Sequence, residues 1–274
     1  MRTVREVVIV LVGCAACDFQ PSVASKIDAR DVPADSPISG DDAGTTGPLD
    51  APRNACGVTD PSLRLCLELD ESGLATATSA VDGSGKNHDP AIAGLSVVSR
   101  TVPATSQAAQ LSSTSTITLS QHSDFDLQHF TLVAWMKRGA LDPTQTQGVI
   151  DTGTQYSLSI DTFGRVQCGV THNGTTTYPG LAQTNGNEWD LVACTYDGAN
   201  LCGYAFQNGS ANPQTSCNGY TQSLDTNRGY GTTIGEWAVP TAGSQFNGSL
   251  DQIRIYARAL SRQELCAAGG LSGC

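Results

Sequence analysis

The amino-acid sequence predicts an all-β protein, a two-sheet antiparallel sandwich of jelly-roll type closed by one short C-terminal helix. Three observations carry that prediction. From about Leu63 the chain alternates short segments rich in Val, Ile, Thr, Tyr and Phe with turns built from Gly, Asn, Asp and Pro, the pattern expected of many short strands. The stretch that does so, about 210 residues, is the size of one such domain. No internal repeat and no long helical period interrupts it.

The chain opens on a different composition. In MRTVREVVIVLVGC, Arg2 and Arg5 precede an apolar run from Val7 to Gly13, which is the layout of a secretory signal and is far too short to cross a bilayer. Residues 1–13 are therefore expected to be a signal peptide. Leu11-Val12-Gly13-Cys14 resembles the bacterial lipobox, in which small residues precede a cysteine that is acylated and becomes the mature N-terminus. The resemblance implies lipidation at Cys14, with Cys17 a second candidate and an ordinary cleaved signal the other reading. An acylated cysteine would hold an exported protein at a membrane surface, the outer membrane or cell surface, without spanning it.

Residues 14–55 are expected to be a disordered acidic tether. Asp, Pro, Ser, Ala and Gly dominate there with hardly an aromatic, and such a segment cannot bury enough apolar surface to offset its ordering entropy. Between Ala15 and Arg53 seven Asp face three Lys or Arg, and the residues from Cys56 onward still carry a net charge of −8. An acidic surface repels phosphate backbones, so nucleic acid is excluded as a partner.

Residues 56–274 make up the expected domain. Eight cysteines fall in it: Cys56, Cys66, Cys168, Cys194, Cys202, Cys217, Cys266 and Cys274. An even count in an exported chain predicts disulfides, and no C-x-x-C pair with a partner pair occurs. Eight cysteines allow 105 pairings, so connectivity is open. Closeness along the chain favours Cys56–Cys66, Cys202–Cys217 and Cys266–Cys274, which leaves Cys168 and Cys194 to join two neighbouring strands.

Taken in order, the predicted strands are LRLCLEL (63–69), SVVSR (96–100), STITLS (115–120), FTLVAWMK (130–137), GVID (148–151), YSLSID (156–161), GRVQCGV (164–170), EWDLVACTYD (188–197), LCGYAFQ (201–207), TTIG (232–235) and SLDQIRIY (249–256). In the last of these, alternation puts Asp251 on the side of Ile253 and Ile255, with Leu250, Gln252, Arg254 and Tyr256 on the other. If the isoleucine face is buried, the carboxylate goes in with it and must find a cation, a set of donors or a metal. Ser261-Arg262-Gln263-Glu264 is a capping box, which predicts a helix of about two turns ending at Gly269 and Gly270, with Leu265 and Ala268 as inward positions.

Four segments in chain order resemble the laminin-G-like, concanavalin A-like jelly-roll family. LCLELDESGLATATSAVDGSGKNHD (65–89) is similar to its opening segment and FDLQHFTLVAWMKR (125–138) to its central strand. WDLVACTYDGANLCGYAFQNG (189–209) is similar to the pattern in which a tryptophan opens a strand, "tyDG" turns it and a strand ending in "nG" returns. FNGSLDQIRIYARALSRQEL (246–265) is similar to the closing strand, turn and short helix. The resemblance covers nearly all of residues 63–268.

That superfamily includes hydrolases as well as lectins. Glycoside hydrolysis needs two carboxylates flanking the scissile bond, and Glu68-Leu69-Asp70-Glu71 invites that reading, with Glu68 and Asp70 on one strand face. The third acid comes one residue too early for the glucanase pattern, and the motif falls on the opening strand, so no enzyme is expected. His88, His122, His129 and His172 are scattered without ligand spacing. Asp82-Gly83-Ser84-Gly85-Lys86-Asn87-His88-Asp89 is dense in hard oxygen donors, as calcium requires. The family resemblance implies a structural calcium linking this loop to the closing strand through Asp82, Asn87 and Asp251; the alternative is that Asp251 caps backbone N–H groups of the adjacent turn. Sugar faces would stack on exposed aromatics. Trp135 and Trp189 fall on core strands, which leaves Trp237, Tyr178 and Tyr230, in loop-rich stretches, as the candidate ligand-binding residues. The expectation is an exported, non-catalytic surface module that binds carbohydrate or glycoconjugate, with a protein-protein adhesion or structural surface module as the alternative and a glycoside hydrolase as the least favoured reading.

Overall fold

The computed structural model describes Cys56 and residues 59–274, apart from 179, 180, 228, 240 and 241. The expected signal peptide, tether and Cys14 lie outside the described residues. Among the described residues no helix is long and apolar enough to cross a membrane.

The strands are β1 (Leu63–Leu67), β2 (Ala91–Ala93), β3 (Ser96–Arg100), β4 (Ser106–Leu111), β5 (Thr116–Leu119), β6 (Phe130–Arg138), β7 (Gln147–Asp151) and β8 (Tyr156–Ile160), then β9 (Arg165–His172), β10 (Thr175–Thr177), β11 (Leu181–Gln183), β12 (Asp190–Tyr196), β13 (Asn200–Phe206), β14 (Gln214–Gly219), β15 (Thr232–Ile234) and β16 (Gly248–Tyr256). One sheet runs β14-β13-β12-β6-β16-β4-β3, with β1 also paired to β16. The other runs β10-β9-β8-β7-β15-β5-β2, with β11 also paired to β9. The pairings are antiparallel, and β1 against β16 joins the start of the domain to its end, Leu67 opposite Ile253. The strands that sequence patterning passes over are short or polar; β14, QTSCNG, is an exposed edge strand with no apolar alternation to betray it.

Between the sheets lies the main core, with Leu132 and Ala134 of β6 and Val192 of β12 facing Leu158 of β8 and Val166 and Val170 of β9. A second apolar cluster covers the other face of the first sheet, where Val133, Trp135, Leu191 and Phe206 pack beneath Leu265 of the helix α1 (Arg262–Ala268). Apolar residues at successive positions of FTLVAWM and LVAC serve these two cores, so β12 is buried along its whole length. Trp135 and Trp189 both belong to the second cluster, and Trp135 Nε1 donates to Gly269 O at 3.1 Å. The capping box forms: Ser261 N donates to Glu264 Oε2 at 2.7 Å and Glu264 N to Ser261 Oγ at 3.3 Å.

The structure pairs Cys56–Cys66, Cys168–Cys194, Cys202–Cys217 and Cys266–Cys274. Cys168 and Cys194 sit on β9 and β12, which belong to different sheets, so this bridge crosses the core rather than joining neighbouring strands.

Two local readings are corrected. The first strand ends at Leu67, because Leu69 turns the backbone with φ +54° and breaks the alternation that would align Glu68 with Asp70. In β16 a bulge intervenes: the register shifts between Asp251 and Arg254, and Gln252 has φ +47°. A bulge inserts one residue and reverses the faces beyond it. Leu250, Ile253 and Ile255 therefore all enter the main core, while Asp251 faces the side of Tyr256 and Trp135.

Candidate functional site

The outer face of the second sheet carries a polar row beneath aromatic cover. Tyr156, Leu158 and Ile160 of β8 point into the core, so Ser157 and Ser159 point away from it. Register then aligns Asp151 of β7 with Ser157, and Ser157 with Gly169 of β9. Thr171 and Thr176 extend the row, their hydroxyls 2.9 Å apart.

Tyr178, Tyr230 and the loop backbone at Trp237 each close on this sheet where a glycine leaves room. A Cβ at Gly169 would lie 2.8 Å from Tyr178 Cε1; one at Gly148 would lie 2.6 Å from the Glu236 carbonyl carbon and 2.9 Å from Trp237 N; one at Gly153 would lie 2.6 Å from Tyr230 Cβ. Those glycines are the signal that sequence reading missed. Trp237 is half-buried and fixed by Nε1 donating to Thr146 O at 3.1 Å, while Tyr178 and Tyr230 are 40% and 41% exposed. Trp237 and Tyr178 share the wall of a cavity of about 140 Å³ with Asp151, Ser157, Thr171 and Thr176. Tyr230 stands beside it, against Gly153 of the same wall.

Asp151 is the acid of that cavity wall, and sequence reading did not single it out. It is 4% exposed, and its Oδ2 accepts the Ala238 N–H at 2.7 Å. Burial pushes its carboxyl up to about 7, against the lowering by the Ala238 N–H. The Tyr178 hydroxyl is also raised, first by burial and then by the charge of Asp151. The folded protein therefore retains at Asp151 a proton that the unfolded chain releases at lower pH. The stability this confers is whole below the ordinary value of 3.8 and is lost as pH rises through about 7. Asp151→Asn is accordingly expected to match the parent near pH 4 and to exceed it by a few kcal/mol near pH 8. Urea unfolding at both pH values checks this, and a difference that does not change with pH would overturn it.

The predicted calcium residues meet other partners. Asp82 is fully buried and accepts four donors, Cys66 N, Ser84 N, Ser84 Oγ and His88 N, at 2.7–3.0 Å. Asn87 lies in the same loop with φ +62°. Asp251 is fully buried and pairs with Arg100, whose guanidinium carbon lies 5.2 Å from the Trp135 ring centroid; Ser106 Oγ at 3.1 Å and Gln252 N at 2.9 Å complete its shell. Asp82 and Asp251 share no partner, and a guanidinium already neutralises Asp251. That donor set does not fit a calcium ion bridging the loop to the closing strand. Glu68 is likewise engaged, by Arg254 Nη2 at 2.8 Å and Gln252 Nε2 at 3.0 Å, while Glu71 turns inward, its carboxyl raised by burial.

A family model of the concanavalin A-like lectin/glucanases superfamily matches residues 111–266. No curated protein matches the sequence. Domain 4 of AbnA, an extracellular arabinanase from Geobacillus stearothermophilus, in complex with arabinotriose, aligns with TM-score 0.57 and 16% identity over 76% of this chain and 98% of that one. The binding domain of Paraclostridial Mosquitocidal Protein 1 aligns with TM-score 0.56 and 15% identity over 76% of this chain and 52% of that one. A chain of botulinum neurotoxin type C, whose cell entry is described as dependent upon interaction with two ganglioside molecules, aligns with TM-score 0.54 and 12% identity over 76% of this chain and 51% of that one. This chain thus spans about half the length of the toxin chains and nearly all of the arabinanase domain. At such identities the likeness is one of fold.

Proposed function

The chain belongs to the concanavalin A-like lectin/glucanases superfamily, and from that premise we propose that it is an exported, non-catalytic module that binds carbohydrate or glycoconjugate at the Trp237 cavity. One observation carries this reading: Trp237, whose backbone passes against Gly148, and Tyr178, whose ring lies against Gly169, flank a cavity of about 140 Å³ whose wall offers a buried carboxylate and three hydroxyls. Apolar sugar faces stack on aromatic rings while sugar hydroxyls seek acceptors such as Asp151 and the Ser157, Thr171 and Thr176 oxygens. Among the residues around the cavity Asp151 is the lone acid, whereas glycoside hydrolysis requires a pair. The arabinotriose and ganglioside descriptions of the fold neighbours agree with this ligand class. Lipidation at Cys14 would display the module on a membrane surface at the end of the acidic tether.

A protein-binding surface is the second reading, favoured by Phe163, which stands 71% exposed at the β8–β9 turn with the Arg165 guanidinium 5.0 Å from its ring. The test is a glycan and polysaccharide panel applied to the oxidised chain, with and without chelator. Saturable binding without product release is expected, weakened at least about tenfold by Trp237→Ala at an unchanged melting temperature. Silence across the panel, or full affinity in Trp237→Ala, would reject the site.

A further inference from the structure

The loop expected to carry calcium presents a nitrogen-rich donor set on its other flank. We propose that His88, His122 and Asp124 form a binding site for a borderline divalent transition-metal ion, with Zn²⁺ the best match. The histidines, far apart in sequence, converge because the 82–89 loop folds against the 3₁₀ turn Ser123–Phe125. His88 Nε2 lies 2.9 Å from Asp124 Oδ2, and His122 Nδ1 lies 3.8 Å from the same oxygen. All three ligand atoms fall within 4.8 Å of one another. Tetrahedral zinc, with bonds of about 2.0–2.2 Å to nitrogen and oxygen, sets its ligand atoms about 3.3 Å apart. The two separations from Asp124 Oδ2 bracket that edge, and with all three ligand atoms inside 4.8 Å of one another, shifts of at most about 1.5 Å would seat the ion.

The donors are held in place before any ion arrives. Asp82 Oδ2 accepts the His88 N–H at 2.9 Å, and the His88 ring packs at 4.5 Å from the His122 ring and 4.9 Å from that of Phe125. Phe125 is buried and anchors the turn that carries Asp124. His122 Nδ1 accepts the Asp124 N–H at 3.1 Å, and metal coordination would exchange that bond at a half-exposed position, where water can serve the freed N–H. The His122 side chain is 50% exposed, and a cavity of about 150 Å³ borders both histidines, leaving the fourth coordination position to solvent. Two imidazoles with one carboxylate suit zinc and its neighbours, whereas calcium takes oxygen ligands in greater number.

The test uses the oxidised full chain without a histidine tag, freed of metal by chelator and titrated with ZnCl₂ by calorimetry, with CaCl₂ in a parallel titration. One Zn²⁺ per chain is expected, with a rise in melting temperature under zinc and none under calcium. His122→Ala, at a half-exposed position that leaves the core intact, is expected to weaken zinc at least about tenfold. His129→Ala, outside the cluster, should bind as the parent does. Substitution with Co²⁺ adds a spectroscopic reading: visible absorption bands of a nitrogen- and oxygen-bound ion that fade in His122→Ala. Failure of zinc to saturate, or equal affinity in His122→Ala and the parent, would overturn the proposal whatever the glycan panel shows.

Discussion

Replacing Cys168 and Cys194 together by alanine is expected to lower the stability of the oxidised chain by roughly 3–4 kcal/mol, more than any other single cross-link removed for its position. The bridge joins residues 26 apart, and closing a loop of that length removes entropy from the unfolded chain worth about 3.5 kcal/mol in the chain-entropy account. Both half-cystines are fully buried between the sheets, so alanine also leaves unfilled volume there, and the surrounding strands can collapse only in part. Calorimetry should show the melting temperature falling by roughly 7–15 °C for a domain of this size. A double variant melting within a degree of the parent would show that the bridge merely decorates a core that holds the sheets together by itself.

Arg100→Met is expected to cost about 3–5 kcal/mol, the usual result of orphaning a buried charge. The Asp251 and Arg100 side chains are 0% and 3% exposed, and Arg100 also donates to Ser106 Oγ at 3.2 Å and Val102 O at 2.8 Å. Burial already raises the Asp251 carboxyl, and Arg100 is the strongest of the groups that draw it back. Without the guanidinium the folded-state value climbs further. The penalty is then smallest in acid, where the carboxyl is neutral in both states, and grows as pH rises toward the new value. A double-mutant cycle with Asp251→Leu separates pair from parts: Arg100→Met/Asp251→Leu should recover much of the loss, because no charge remains to be buried alone. If the double variant is as unstable as the sum of the singles, the two side chains do not act as a unit.

Much of this protein is legible in order along the chain. Strand positions follow from β-branched and aromatic residues between turn formers, the helix start from Ser261 and Glu264 three residues apart, and local disulfides such as Cys202–Cys217 from proximity in sequence. Trp237, Tyr178 and Tyr230 stand out because aromatics are sparse in the loops. These features depend on near neighbours, whose relations any chain of this sequence carries with it. Other features belong to the folded molecule alone. Asp251 changes face because the backbone bulges at Gln252, and one inserted residue reverses everything a period of two predicts. Asp151 reads as an ordinary strand-end acid until the Trp237 loop closes over it, and Gly148, Gly153 and Gly169 show their purpose only once an aromatic or its loop lies against each. His88 and Asp124 meet 36 residues apart in sequence. The sequence by itself determined the fold class, the element order and the aromatic candidates; strand order and register decided the buried carboxylates, the bridge across the core and the histidine cluster, because contacts between distant segments exist only after the sheets have paired.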